Sequence, residues 1–245
     1  MITALIPARS GSKRVPNKNI KDFFGFPLIA YSIAYARNSS LIRDILVSTD
    51  SQEIGEIASK FGVTDVILRP QEISSEQSLD IEWIEHIDSV KQIKSEYAAI
   101  IRPTSPLRSQ LLLSDMWNLL RKSECDSIRT VKRVKEHPGK MWRLEENGEI
   151  KPLLNQLAGQ TATHAMQYAS LPTIFVQTSV LEVFKVESMR ETRTREGNRI
   201  CGYPTSGLDS WAIDETEDWN AHIYAVEKNG ELKSTLNSMF HGINE

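Results

Sequence analysis

Residues 6–20, IPARSGSKRVPNKNI, crowd basic side chains around a single glycine directly after an apolar run. Arg9, Lys13, Arg14 and Lys18, with Lys21 just beyond, put a concentrated positive charge on one loop. A loop that follows a buried strand can aim several backbone N–H groups at one point, and Gly11 would free the chain for a close approach. Arginine forks onto two oxygens of an anion and lysine acts as a point charge, so Arg9 and Lys18 suit a polyphosphate. The loop matches neither the G-x-G-x-x-G dinucleotide pattern nor the G-x-x-x-x-G-K-[ST] pattern. Taken alone, the stretch also reads as a solvated basic turn.

A second polar group lies in RPTSPLR, Arg102 to Arg108, again directly after an apolar run. It offers two hydroxyls, on Thr104 and Ser105, and the guanidinium of Arg108. Ser105 or Ser109 also suits the N-cap of the helix that LLLSDM opens. Ser48 to Asp50, STD, ends another run, and Asp50 is expected to cap a helix rather than to bind a ligand.

These loops need a scaffold that brings them to one edge. Apolar runs at ITALIPA, DILVST, DVIL, YAAIIRP and DSIRTV alternate with helical periods. Ile54, Ile57, Ala58 and Phe61 share one helical face, as do Leu79, Trp83, Ile87 and Val90, and then Leu112, Met116, Leu119 and Leu120. Strands that are apolar throughout and joined by helices imply an α/β fold, a Rossmann-like, doubly wound and mainly parallel sheet. Ligands of such sheets bind at the carboxyl ends of the strands. Between about 134 and 170 the rhythm breaks, which predicts an inserted arm, either a lid or a dimerisation element. LPTIFVQTSVLEVF then reads as a strand followed by a short helix, with Gln177 and Thr178 at the strand end, and TEDWNAHIYAVEKNG as a last helix.

With 245 residues, 40% of them apolar, the chain holds one sizeable core and a single domain over 1–245. A net charge of -3 argues against a nucleic-acid or membrane partner, so the positive charge is local. Cys125 and Cys201 fit no metal spacing and are too few for a disulfide framework; each reads as a small core residue in a reducing compartment. No stretch approaches the ~18–20 apolar residues of a membrane span, so a cytoplasmic protein is expected.

The four stretches IPARSGSKRVPNKNI, VSTDSQEI, LRP and RPTSPLR, in this order and near these spacings, resemble the acylneuraminate cytidylyltransferase family, as a divergent branch. The resemblance is close over residues 2 to about 130 and weaker to residue 228. It implies a Rossmann-like fold, a homodimer formed through an arm, and transfer of CMP from CTP to the anomeric hydroxyl of a sugar acid with Mg2+. It implies that Pro7, Ala8, Arg9, Ser10, Gly11 and Lys13 lie along the nucleotide, with Arg9 and Lys18 acting on its phosphates. Asn19 and Arg69 would bind the cytidine, Pro103, Thr104 and Ser105 would line its other side, and Lys140 of HPGKMW would approach the sugar acid.

The departures from the family pattern are informative. The magnesium motif D-I-D reads AID here, leaving Asp214 as its carboxylate, with Asp209 a candidate to fold back as a second ligand. Asp209 also suits a turn after Gly207. Arg102 stands where relatives carry Gln, and a guanidinium there binds a carboxylate but offers no acceptor. Asp80 stands where close relatives place Ser near the nucleotide, and it also suits the first turn of a helix. Gln177 would point at the sugar or cap a helix. Trp142 and Trp211 are expected to wall the site, and His137 is weighed as a sugar contact. The acceptor is thus expected to be an acidic, nonulosonic-type sugar, with a 3-deoxy-manno-octulosonate-like acceptor or a catalytically silent nucleotide-binding relative as alternatives.

Overall fold

The computed structural model describes residues 1–154 and 162–240. The chain opens with β1 (Ile2–Pro7), a small hairpin of β2 (Asp22–Phe23) and β3 (Phe26–Pro27), and α1 (Leu28–Arg37). Alternation follows through β4 (Ile42–Thr49), α2 (Gln52–Lys60), β5 (Asp65–Leu68), α3 (Asp80–Lys91), β6 (Tyr97–Ile100), α4 (Leu112–Lys122) and β7 (Ser127–Arg133). A second hairpin, β8 (Trp142–Leu144) with β9 (Ile150–Pro152), precedes β10 (Phe175–Lys185), α5 (Val186–Thr192) and β11 (Ile200–Thr205). Helices α6 (Thr216–Glu227) and α7 (Gly230–Ser238) close the described chain.

The central sheet has seven strands in the order β11-β7-β10-β6-β1-β4-β5. Only β10 runs antiparallel to its neighbours, so the sheet is mainly parallel, as the alternation predicts. Helices cover both faces, which is why β1 is apolar at consecutive positions. Ala4 and Ile6 pack toward α1 and α4, whereas Leu5 packs with Trp83, Ile84 and Ile87 of α3. Ser51 caps α2 by accepting the Ile54 N–H at 3.3 Å. Gly55 lets α2 lie close to β5, since a Cβ there would come within 2.9 Å of Val66.

Several expectations need correction. LPTIFVQTSVLEVF is not a strand and a helix but mainly one 11-residue strand, with helix α5 starting only at Val186. Val180, Leu181, Val183 and Phe184 are all buried because both faces of β10 are covered, and such a run mimics a helical face. β11 was hidden because Gly202 and Pro204 interrupt its apolar pattern, and a proline is tolerated here because β11 is an edge strand. Leu79, Val90 and Leu119, placed on helical core faces by their spacing, are exposed; α3 turns Trp83, Ile84 and Ile87 inward instead. Cys125 and Cys201 form a disulfide rather than two free core thiols. β11 lies parallel to β7, with Cys201 opposite Ile128, which brings it beside the turn holding Cys125 across 76 residues of chain.

Of the arm expected at about 134–170, residues 155–161 lie outside the described residues. The remainder carries the β8–β9 hairpin, with Trp142, Leu144 and Ile150 exposed. Among the described residues, no helix is long and apolar enough to cross a membrane.

Candidate active site

The carboxyl ends of β1, β5 and β6 open onto a cavity of about 540 Å³. The first loop contributes Pro7, Arg9, Ser12, Lys13, Arg14, Lys18 and Asn19. Arg69, Ser75, Glu76 and Ser78 come from the β5–α3 connection, Asp80 and Trp83 from α3, and Arg102, Pro103 and Thr104 from the end of β6. Six basic side chains (Arg9, Lys13, Arg14, Lys18, Arg69, Arg102) thus face two acidic ones, Glu76 and Asp80. In a chain with a net charge of -3, this concentrates cationic charge on one cavity.

Local bonds fix these groups. Lys18 follows Asn17, a residue in the left-handed region at φ 53°, and its Nζ donates to the Ile213 carbonyl at 2.6 Å. The Ile213 N–H donates to the Thr104 carbonyl at 2.7 Å, so one buried residue ties the first loop to RPTSPLR and to the AID segment. Asp214 is thereby held 3.9 Å from Lys18 Nζ. Burial lowers the Lys18 pKa below its ordinary 10.5, with Asp214 partly opposing this and Arg14 and Arg9 adding to it. Arg69 is also buried, which pushes it down to about 10; its Nη2 donates to the Ser48 carbonyl at 2.7 Å, and it lies 5.7 Å from the Trp83 ring centre. Asn19 spends its amide N–H on the Arg9 carbonyl at 2.8 Å, leaving the amide oxygen as the acceptor.

Ten of the residues expected at the site therefore line one cavity: Pro7, Arg9, Lys13, Lys18, Asn19, Arg69, Asp80, Arg102, Pro103 and Thr104. The others do not. Ala8 is fully buried, its N–H bonded to the Ser48 carbonyl, and Ser105 is buried behind the wall. Ser10 is held by Asp50, which accepts its N–H at 2.7 Å and its hydroxyl at 3.0 Å. Asp50 therefore braces the basic loop, and Ser51 takes the helix cap that Asp50 was expected to form. Gly11 needs no left-handed backbone, and a Cβ there would meet nothing within 4 Å, so a close approach by glycine is not what shapes the loop.

Five further residues are placed away from the cavity. Lys140 donates to the carbonyls of His164 at 2.8 Å and Met166 at 2.5 Å, which pins it within the arm of its own chain. His137 accepts the Gly139 N–H and caps the same short turn. Gln177 lies outside the cavity wall and accepts from Arg129. Trp142 tilts against His164 and Trp211 against His222, so neither walls the cavity.

Of the two candidates for a metal ion, Asp214 lies beside the cavity, next to Lys18, and its side chain is about half exposed. Asp209 does not fold back to join it. It accepts the Ser109 N–H at 2.6 Å and lines a separate, largely apolar cavity with Arg108. Asp218 is occupied by the N–H groups of Asp214 and Glu215. Among the described residues no cluster of three or more His, Cys, Asp or Glu could hold a metal. The donor set fits magnesium only in the mode that uses one protein carboxylate with water and phosphate oxygens.

Sequence reasoning missed the charged network behind Asp80. Arg195 bridges Asp80 at 2.7 Å and Glu182 at 2.9 Å, and Arg129 reaches Glu196 at 2.8 Å. Glu182 in the apolar run VLEVF was the available signal, since a charge buried in a strand demands a partner.

Comparison with known proteins agrees with this geometry. A family model described as cytidylyltransferase matches residues 3–193. The chain is 37% identical over 127 residues to an N-acylneuraminate cytidylyltransferase of Escherichia coli, covering 51% of this chain and 30% of that protein. It is 30% identical over 149 residues to a pseudaminic acid cytidylyltransferase of Campylobacter jejuni, covering 60% and 64%. The match thus spans less than two thirds of these relatives' own length. In fold, it is similar to a CMP:2-keto-3-deoxy-manno-octonic acid synthetase complexed with CTP, at a TM-score of 0.63 and 12% identity over 93% of this chain and 99% of that one. By sequence, by sheet order and by the basic cavity at the strand ends, this chain belongs to the cytidylyltransferase family.

Proposed function

We propose that the chain transfers CMP from CTP to the anomeric hydroxyl of an acidic sugar of the nonulosonic type, with release of pyrophosphate. The observation that carries this reading is the excess of cations in the cavity at the carboxyl edge of a cytidylyltransferase-family sheet. In the reaction the sugar oxygen forms a bond to the α-phosphorus, the bond from that phosphorus to the β-phosphate's bridging oxygen breaks, and the hydroxyl proton passes to solvent. Charge neutralisation and alignment are what such a displacement needs from the protein. Arg9, Lys13, Arg14 and Lys18 supply the charge. Glu76, 3.9 Å from Arg9 and 3.5 Å from Lys13, occupies the position of a counter-ion that a triphosphate replaces.

Base selection fits cytosine. The free amide oxygen of Asn19 can accept from the exocyclic amine of cytosine but not from the carbonyl of uracil, and Arg69 offers only donors, which suit the base carbonyl. Asp214 would hold Mg2+, which when bound supplies further charge neutralisation on the phosphates. A homodimer fits the arm, whose exposed Trp142, Leu144 and Ile150 would be covered by a partner chain.

Pyrophosphate release, measured with CTP and with UTP across N-acetylneuraminate, pseudaminate and 3-deoxy-manno-octulosonate, tests the reading. Release with CTP and one nine-carbon acid is expected. Release with the eight-carbon acid alone would move the acceptor class. CTP binding without release from any acid would favour a catalytically silent relative, the reading that Ala212 in the AID segment keeps in view.

A further inference from the structure

The four cations of the basic loop each have a carboxylate of the chain's own within reach. Glu76 lies 3.9 Å from Arg9 and 3.5 Å from Lys13. From the segment before α6, Glu215 lies 3.6 Å from Arg14 and Asp214 3.9 Å from Lys18. Among the acids that line or brace the cavity, Glu76 is the least firmly held. Asp50 accepts two hydrogen bonds from Ser10, and Asp80 accepts from Trp83 and Arg102. Glu76 makes no hydrogen bond among the described residues and is tied by its two ion pairs alone, with its side chain 49% exposed and that of Lys13 80%.

The backbone beneath it is fixed. Ser75 and Ser78, which also line the cavity, bond through their hydroxyls at 2.9 Å. Ser78 Oγ accepts the Ser75 N–H at 3.0 Å, and Ser75 Oγ accepts the Gln77 N–H at 3.2 Å. A carboxylate on such a turn, tethered by two solvent-screened pairs, can leave and return by side-chain rotation alone. An anion that reaches Arg9 and Lys13 must displace it, so the apparent affinity falls by the fraction of time these cations are free. That factor is the same for every ligand of the loop, but its consequence is not. CTP is also held through its base, by Asn19 and Arg69 in the reading above, whereas inorganic pyrophosphate has the loop contacts alone.

We propose that Glu76 is a specificity-determining residue of the polyphosphate site, an internal competitor that keeps inorganic polyphosphates off the basic loop and displaces pyrophosphate once it is cut from CMP. This rests on the cytidylyl-transfer reading for the identity of the nucleotide and of the leaving group. It differs from an ion pair kept for stability in one respect: removing the carboxylate strengthens anion binding.

The test is calorimetric binding of inorganic pyrophosphate, CTP and cytidine to the whole protein without metal, which reads the loop whether or not transfer occurs. Glu76→Gln should bind pyrophosphate and CTP each about tenfold more tightly, the scale of two exposed ion pairs released together, and cytidine within twofold of the intact protein. At about 0.5 M salt the gain should fall below threefold, because exposed charges are screened. Glu72→Gln removes the same charge from the same β5–α3 connection, at an exposed side chain, and should change neither affinity by more than twofold. Glu76→Ala should repeat the gain, and it serves if the glutamine variant fails to fold. Unchanged or weaker pyrophosphate binding by Glu76→Gln, an equal gain in Glu72→Gln, a gain shared by cytidine, or no binding of pyrophosphate by either protein would overturn the proposal. The expected gain without transfer to any acid would instead defeat the functional reading and leave this one standing, whereas transfer without the gain would defeat this proposal alone.

Discussion

Lys18→Met is the perturbation whose outcome the geometry constrains best. Lys18 has an 11% exposed side chain, bonds the Ile213 carbonyl at 2.6 Å and lies 3.9 Å from Asp214. Methionine fills similar volume without charge. For stability, a hydrogen bond from a charged donor contributes about 1.5–3 kcal/mol, and removing the desolvated ammonium returns part of it, leaving a loss of about 1 kcal/mol. For catalysis the loss is larger. Removing one preorganised donor from a developing anionic centre costs about 10²–10³ in kcat, or ~3–4 kcal/mol, comparable to one unit charge at 4 Å with an effective dielectric near 20. Steady-state pyrophosphate release alongside thermal unfolding separates the two effects. A variant that unfolds near the wild-type temperature and keeps kcat within threefold would refute the role given to Lys18.

The same residue sets a pH dependence. Because burial lowers its pKa, the free enzyme should lose the ammonium, and with it kcat/KM, at a lower pH than an ordinary lysine would. Lys18→Arg should move that alkaline limb upward. The stability sign is opposite to that of a stabilised cation. Burying the ammonium costs stability below the folded pKa, and the cost recedes as pH rises from there to the ordinary value of 10.5, where the unfolded chain binds the extra proton.

Other substitutions separate roles within the site. Arg9→Ala should remove most turnover by weakening the triphosphate site, and near wild-type rates in the same assay would contradict that. Asp214→Ala should greatly raise the magnesium requirement in a titration of rate against metal, whereas Asp209→Asn should leave it unchanged and instead weaken the Ser109 turn; the reverse pattern would restore Asp209 as a ligand. Cys125→Ser opens a link across 76 residues, which the chain-entropy relation puts at up to about 4.5 kcal/mol, so denaturant unfolding should shift while the KM for CTP holds.

How far the sequence foretold this structure follows from physical range. Short apolar runs fixed the parallel strands, because burial on both faces leaves a local signature, and the basic loop was legible because its charges are contiguous. The same double burial disguised β10, whose antiparallel insertion depends on neighbours far along the chain. The network behind Asp80 was hidden for a similar reason: Glu182 stands out in its apolar run, but Arg195 and Arg129 are ordinary locally and gain meaning only when β7, β10 and the β10–β11 connection meet. Asp50 and Asp209 were misjudged because a carboxylate near a helix start suits several partners, and only the fold shows which N–H is closest.

The central claim is that this cavity joins CMP to an acidic sugar. Phosphorus NMR of the purified protein with CTP, magnesium and each acid in the panel tests it directly. The account predicts loss of the triphosphate signals, a new phosphodiester resonance and an equal amount of pyrophosphate, with CTP and not with UTP. Unchanged CTP in the presence of every acid, or inorganic phosphate released in place of pyrophosphate, would contradict it.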